Sequence, residues 1–308
     1  MFSYPSVLDE LALASRRLPD SPIRFDDGGE YRIEIPSVES TEAFRIVIQE
    51  CERQGVPLHR ISQGSGITVL TDDTLREYVA IGADHNVEVC LFIGPRAAWD
   101  GNAASALTAD GGIFGARHIG VAALRAAWED VERAVDSGLR SLLVADEGLI
   151  ALIGQAQAAG DLPSDLIVKA SALMGIANPL GARALEQAGA HSLNIASDTT
   201  LGDLAAYRQL TRGALDMYIE GQDGLGGFMR YHDLPEIVRI GAPVHLKFGL
   251  RNAPAFYPAG EHLAAVVASS AKARVARARA GLEHLWRGRP DAAPSAVDGK
   301  RDGVPVPA

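Results

Sequence analysis

Residues 166–197, "LIVKASALMGIANPLGARALEQAGAHSLNIAS", carry the pattern that decides the fold. Two short aliphatic runs, LIVKAS (166–171) and SLNIAS (192–197), flank PLGARALEQAGA (179–190), whose apolar residues recur at helical spacing. Strands joined through a helix run parallel, because the connection crosses back over the sheet. The same unit recurs along the chain, with strand-like runs at YRIEIP (31–36), HRISQ (59–63), VEVCLFIG (87–94), SLLVAD (141–146), LDMYIE (215–220) and VHLKFG (244–249). Between them lie TEAFRIVIQECERQG, DDTLREYVAIGADHN, ALRAAWEDVERAVDSG and LGDLAAYRQLTRG, several closing on the Gly or Asn that ends a helix. Eight units in strict alternation predict a single-domain (β/α)8 TIM barrel over 31–288. A doubly wound sheet is the runner-up, but it leaves two open edges.

Flanking pieces fit around this core. Residues 1–30 read as a lead-in, with a helix over 5–18 and a hairpin in IRFDDGGEYRIEI (23–35) covering the bottom of the barrel. Residues 289–308 are rich in Pro, Ala and Gly without a period, which predicts a disordered tail.

The chain has 308 residues, 47% of them hydrophobic, with a formal net charge of -10. That charge argues against nucleic acid or an anionic membrane as a partner. The N-terminus lacks a basic-then-apolar leader and no apolar run approaches a membrane span, so a cytoplasmic location is expected. Oligomeric state is open, a homo-oligomer included.

Alternation within the strands places the candidate site. Leu215, Met217 and Ile219 share one parity of their strand, and Asp216, Tyr218 and Glu220 the other. Val244, Leu246 and Phe248 likewise oppose His245, Lys247 and Gly249; Ile33 and Ile35 oppose Arg32, Glu34 and Pro36; Leu166, Val168 and Ala170 oppose Ile167, Lys169 and Ser171. Only the helix-facing side offers an apolar layer, so the polar parity faces the barrel axis. Glu34, Lys169, Glu220 and Lys247 should therefore converge near the C-terminal mouth, where barrel enzymes carry their sites. The competing reading is a set of structural ion pairs plugging that mouth.

The loop after strand seven, EGQDGLGGFMRY (220–231), holds Gly224, Gly226, Gly227 and Arg230; the next, KFGLRNAP, adds Arg251 and Asn252. Glycine amides and an arginine fork predict a pocket for carboxylate or phosphate. The long connection 95–120 is a candidate lid, with Gly111, Gly112 and Gly115 as hinges and Arg96 reaching the pocket. The basic run AKARVARARAGLEHLWRG (271–288) reads as the solvated face of the eighth helix.

In order and spacing these segments resemble the collagenase-like peptidase family U thirty-two. IEIPSVESTEAFRIVI is similar to the family's opening strand, proline turn and helix, and LTDDTLREYVAIGADHNVEVCLFIG to its second helix and third strand. Asp146, Gly148, Leu149 and Ile150 match its Asp-x-Gly-Leu-Ile ending, Asn178 its Asn-started helix, and LKFGLRN its Leu-Lys-Ile-Glu-Gly-Arg motif, carrying over Lys247 and Arg251. The resemblance implies a barrel and a peptidase-like activity. Gly249 and Leu250 stand where the family has Glu-Gly, Ser197 where it has Arg, and Glu220-Gly221 where it has His-Gly followed by cysteines. Members with hydroxylation chemistry hold an iron–sulfur cluster on four cysteines; Cys51 and Cys90 are the only two here, so no such cluster is expected and cofactors are otherwise open.

The residues favour acid–base hydrolysis of a small or peptide-like anionic substrate. Glu220 or Glu34 would activate water, Lys247 and Arg251 would stabilise negative charge, and Lys169 would support them. The alternatives are a Schiff-base lyase or aldolase using Lys169 or Lys247, metal-assisted chemistry through Glu34, Glu220 or His245, and a non-catalytic small-anion binder.

Overall fold

The computed structural model describes residues 18–101, 105 and 107–307, so the helix expected at 5–18 falls outside it apart from Leu18. Eight strands, β1 (Tyr31–Pro36), β2 (Arg60–Gln63), β3 (Glu88–Phe92), β4 (Ser141–Val144), β5 (Ile167–Ala170), β6 (Ser192–Asn194), β7 (Ala214–Glu220) and β8 (Val244–Phe248), form one closed parallel barrel in sequence order. Closure comes from β1 on β8, with Ile33 opposite Leu246 and Glu34 opposite Lys247. Eight helices alternate with the strands: α1 (Thr41–Gln54), α2 (Asp72–Asp84), α3 (Val121–Asp136), α4 (Glu147–Ala159), α5 (Pro179–Ala188), α6 (Leu201–Leu210), α7 (Leu234–Gly241) and α8 (Ala264–Gly288). The TIM barrel predicted from alternation is the fold.

Local chemistry starts each helix where the sequence says it should. Ser40, Thr71, Asp146, Asn178 and Thr200 each accept a hydrogen bond from a first-turn amide, satisfying a donor that the helix leaves open. Asp146 and Asn178, two residues of the family-like motifs, are thus helix caps. The helix-facing parity behaves as predicted: Ile33, Ile35, Val168, Leu215, Met217, Val244, Leu246 and Phe248 are fully buried between sheet and helices. Burying each such side chain contributes about 1.5–3 kcal/mol. Among the described residues no helix is long and apolar enough to cross a membrane.

The bottom of the barrel differs from expectation. Residues 22–30 make a tight turn, Gly28 N to Phe25 O at 2.8 Å, in place of a paired hairpin, though Phe25 does pack edge-on against His245 inside the barrel. The segment after α8, expected to be disordered, runs across the strand starts as an ordered strap. Ser295 N donates to Tyr31 O at 3.0 Å, His59 Nε2 contacts Ser295 O at 2.9 Å, and Val306 N donates to Gly138 O at 2.9 Å. Composition missed this because the order comes from backbone groups paired with distant loops. Two glycines admit the strap: a Cβ on Gly29 would sit 2.5 Å from Ser295 N, and one on Gly138 only 2.1 Å from Val306 O.

Candidate functional site

Charged residues of the inward parity meet in the middle of the barrel. The Glu34 carboxylate accepts from Ser62 Oγ at 2.7 Å, touches Lys169 Nζ, and lies 3.3 Å from Arg60 Nη1 and 3.6 Å from Lys247 Nζ. Asp216 takes Arg60 Nη1 at 2.6 Å, a hydrogen bond from Ser192 Oγ, and Lys169 Nζ at 3.6 Å. Glu88 on β3 receives Ser141 Oγ at 2.6 Å and makes a 2.7 Å ion contact with Arg60 Nε that lacks hydrogen-bond alignment. Three cations, Arg60, Lys169 and Lys247, thus face three carboxylates, Glu34, Glu88 and Asp216, all of them buried. Burial pushes the Glu34 and Asp216 carboxyls up, but the cations outweigh it and hold both below the ordinary carboxylate range.

Above this layer, at the C-terminal ends of the strands, is a cavity of about 180 Å³. Lys247 and Tyr218, register partners on β8 and β7, enter it together, with Nζ 4.1 Å from the Tyr218 ring centroid. Ser62, Ser171, Phe92 and Leu143 line it from other strand ends, and Ser37, Gln222, Gly224, Leu225 and Tyr257 from loops. Ser37 Oγ is a hub, bonded to the Tyr257 hydroxyl and accepting from Gln222 Nε2 at 2.8 Å. It is held at φ 60, a left-handed conformation that non-glycine residues adopt rarely and often at functional positions. Burial, with Glu34 beneath Tyr218 and Glu39 behind Tyr257, raises both phenol pKa values, so both remain proton donors. Arg96 closes one side, its guanidinium 3.9 Å from the Phe92 centroid and 4.5 Å from that of Trp99, with Nη2 bonded to Gly64 O. Among the described residues the buried Arg96 Nε has no hydrogen-bond partner.

Glu220 does not join this group. A register shift between Tyr218 and Glu220 places Glu220 opposite Phe248, a helix-facing residue, so its side chain turns outward beneath α8. There its carboxylate accepts from Tyr231 Oη at 2.6 Å and Arg251 N at 3.0 Å, and pairs with Arg277 Nε at 3.2 Å. Strict alternation failed because one extra residue in a strand reverses the face of every residue beyond it. Glu34 and Lys169 do point to the axis but are fully buried below the cavity.

The glycine-rich loop is likewise occupied internally. The amides of Leu225, Gly226 and Gly227 donate to carbonyls of Gln222 and Asp223 within the loop. Arg251 Nε lies 3.5 Å from Asp223, whose carboxylate also accepts from Asn252 N; Arg230 binds Asp233 at 3.0 Å and the carbonyls of Ser197 and Thr199. Of the predicted substrate contacts, Gly224 and Arg96 line the cavity, while Gly226, Gly227, Arg230, Asn252 and Asn178 do not. In the candidate lid, residues 102–104 and 106 lie outside the described residues; Ala98 N bonds Gly115 O at 3.0 Å, and Arg117 bonds Ala145 O.

Several further residues of the site carry a signal in the sequence. Arg60 and Ser62 alternate with Ile61, and Glu88 with Val89, by the same parity that revealed Glu34. Arg274, expected on a solvated face, is fully buried behind the cavity, its Cζ 5.4 Å from the Phe256 ring. It stands with Ala271, Val275 and Ala278 on the apolar stripe of α8, where spacing alone marks it as inward. Among the described residues no three His, Cys, Asp or Glu side chains converge in a metal-holding group.

Neither a family model nor a curated protein matches the sequence. Solved structures similar to the chain include the U32 peptidase Mk0906, at 14% identity over 64% of this chain and 72% of that one with a TM-score of 0.40. A putative lyase/mutase from Burkholderia cenocepacia J2315 is 16% identical over 92% and 88% of the two chains, TM-score 0.45. A 2,3-dimethylmalate lyase of the PEP mutase/isocitrate lyase superfamily is 15% identical over 94% and 89%, TM-score 0.44. These are likenesses at the level of the barrel, and the chemistry has to be read from the site itself.

Proposed function

We propose that the protein is an enzyme acting on a small carbonyl compound with an anionic group, bound at the barrel mouth, through imine formation at Lys247. One observation carries this reading. Among the described residues that line the cavity the ionisable side chains are Arg96, Tyr218, Lys247 and Tyr257, so a ligand there would meet a lysine amine and, of these residues, no carboxylate or imidazole. In the step, the Nζ amine attacks the carbonyl carbon and the C–N bond forms; the C–O bond of the resulting carbinolamine then breaks, and the oxygen leaves as water, its two protons balanced by the two that the amine gives up. Tyr218 and Tyr257, both protonated, are placed to donate one, and Arg96 to hold the anionic group.

Hydrolysis of peptide-like substrates, the activity that family resemblance suggested, lacks its base: Glu220 faces α8, and Glu34 is enclosed by Ser62, Lys169, Arg60 and Lys247. A second reading, ion-pair capture of a carboxylate without covalent chemistry, is favoured by the Glu34 charge 3.6 Å from Nζ, which suits a lysine that only binds. Incubation with short 2-oxo acids and aldehydes, reduction with cyanoborohydride and intact-mass analysis separate the two. An adduct mapped to Lys247 and absent in Lys247→Met supports imine chemistry. No adduct, with a saturable thermal shift by the same acids, supports capture; neither signal sinks both.

A further inference from the structure

The opposite end of the barrel holds a larger cavity, of about 350 Å³, between the strand starts, the turn before β1 and the strap after α8. Six cationic side chains line it against four carboxylates. Some are already engaged: Arg60 with the central carboxylates, Arg24 with Glu30, and Arg301 with the carbonyls of Ala296 and Asn86. Arg32 is not. Its one side-chain hydrogen bond among the described residues runs from Nε to Ser295 Oγ at 3.0 Å, and its Cζ stacks 3.9 Å from the Phe25 centroid. Burial, with Arg301 and Arg60 close by, pushes its pKa down to about 10 although Glu88 and Asp27 pull the other way. Arg212 and Lys300 enter from the segment before β7 and from the strap, exposed and, among the described residues, with no carboxylate within ion-pair distance.

A second observation points to a ligand here. His245, opposite Arg32 in the β1–β8 register, also lines the cavity; it is 1% exposed, and among the described residues neither ring nitrogen has a hydrogen-bond partner. Its Nδ1 lies 3.3 Å from Asp216 Oδ1 without hydrogen-bond alignment. Burial and the cations Arg60 and Arg32 keep the imidazole neutral, so it carries one N–H with no acceptor. Buried polar groups in native proteins are nearly always paired, so an orphan on a cavity wall marks a place where something is bound. Six cations against four carboxylates leave the described wall net cationic, and two of those carboxylates already have partners, Glu88 in Arg60 and Ser141, and Asp27 in the amides of Gly29 and Ala296.

We propose that this cavity is a second site, separate from the mouth, for a small oxyanion of two negative charges, of the phosphate or short dicarboxylate class. Arg32 and His245 contact it directly, and Arg212 and Lys300 close over it, tying the strap to the barrel. The site stands whatever the mouth does. Its test uses the full-length protein with inorganic phosphate and malonate as probes, titrated by calorimetry and thermal unfolding against chloride at equal ionic strength. Saturable binding is expected, with slower exchange of the strap amides of Gly303 and Val306, which bond Asp165 O and Gly138 O. Arg32→Met should weaken it at least tenfold, as should the double variant Arg212→Ala/Lys300→Ala, whose exposed positions spare the fold. Lys247→Met should bind as before. No saturable binding of either probe, binding unchanged in the double variant, or binding lost in Lys247→Met would overturn the assignment, the last because the anion would then sit at the mouth.

Discussion

Lys169 and Lys247 both point to the barrel axis and both touch Glu34, yet they occupy different surroundings. Lys169 is fully buried between two carboxylates, Glu34 and Asp216, at the centre of the charged layer whose upper edge Lys247 forms. Lys247 shares Glu34 only at 3.6 Å, lies 3.3 Å from the Asn194 side-chain amide, and otherwise faces the Tyr218 ring and the cavity. The Lys169 charge is paired on both sides, and such pairing is what a parallel barrel demands of ions that take the place of its usual apolar filling. The mouth leaves capacity unspent. A charged residue facing the axis is therefore structural or functional according to whether its partners are complete, and parity alone does not distinguish the two.

The largest expected effect tests that contrast. Lys169→Met strands Glu34 and Asp216 with one cation fewer, and removing one partner from a buried network costs about 3–5 kcal/mol. Urea unfolding should show that loss, while Lys247→Met should lose roughly half as much or less, because cavity water can reach what remains. Equal losses would place Lys247 in the scaffold and remove the distinction.

Acid stability sharpens the same comparison from below the midsection. Burial, with nearby arginines, pushes the His59 imidazole down to about 3 and lowers that of His245 well below its ordinary value. The unfolded chain then binds protons near pH 6.5 that the folded chain refuses, so stability falls as pH drops below about 6.5, by about 1.4 kcal/mol per pH unit for each such histidine. Glu34 and Asp216 have lowered pKa values; their contribution is complete above the ordinary carboxylate range and is lost only as pH falls below about 4. Urea midpoints measured between pH 7.5 and 5 should fall across the histidine window, and His59→Asn should flatten the slope. A level profile down to pH 5 would contradict the buried neutral imidazoles.

A smaller effect belongs to Glu220. Glu220→Gln weakens the anchorage of Tyr231, Arg277 and the Arg251 amide, at a cost of about 1–2 kcal/mol in thermal unfolding. Ligand binding at the mouth should be unchanged, because Glu220 lies on the other side of the sheet. A selective loss of ligand binding would return it to the site.

How much of the molecule is legible in its sequence depends on which forces act locally. Strand–helix alternation, caps such as Asp146 and Asn178, and the apolar parity are written in consecutive residues, and the barrel comes from them. The inward placement of Glu34, Lys169 and Lys247 comes from the same period of two. Glu220 was misplaced because a bulge is a property of two paired strands, visible only once Phe248 is seen opposite it. The loop arginines follow a related rule: glycine spacing advertises an anion cradle, but in the fold Asp223 lies beside Arg251 and Asp233 pairs with Arg230. Tyr257, Gln222 and Ser37 come together from three distant loops, and nothing in the spacing of 37, 222 and 257 says so.

Ser37 gives the finest test, since in it stability and function should separate. Its φ of 60 is strained for any side chain, and glycine would relieve about 1 kcal/mol. The same change removes the hydroxyl that holds Tyr257 and Gln222, at a net cost of about 1 kcal/mol. These oppose one another, so Ser37→Gly should leave the unfolding temperature nearly unmoved. The cavity, however, loses the hub that orients a phenol and an amide on its wall, and ligand affinity should fall several-fold in calorimetry. If the variant gains stability and keeps its affinity, the strain at Ser37 has no tie to the mouth. If it loses both together, the hub belongs to the scaffold, and the unspent capacity that sets the mouth apart from the midsection narrows to Lys247 and its aromatic neighbour.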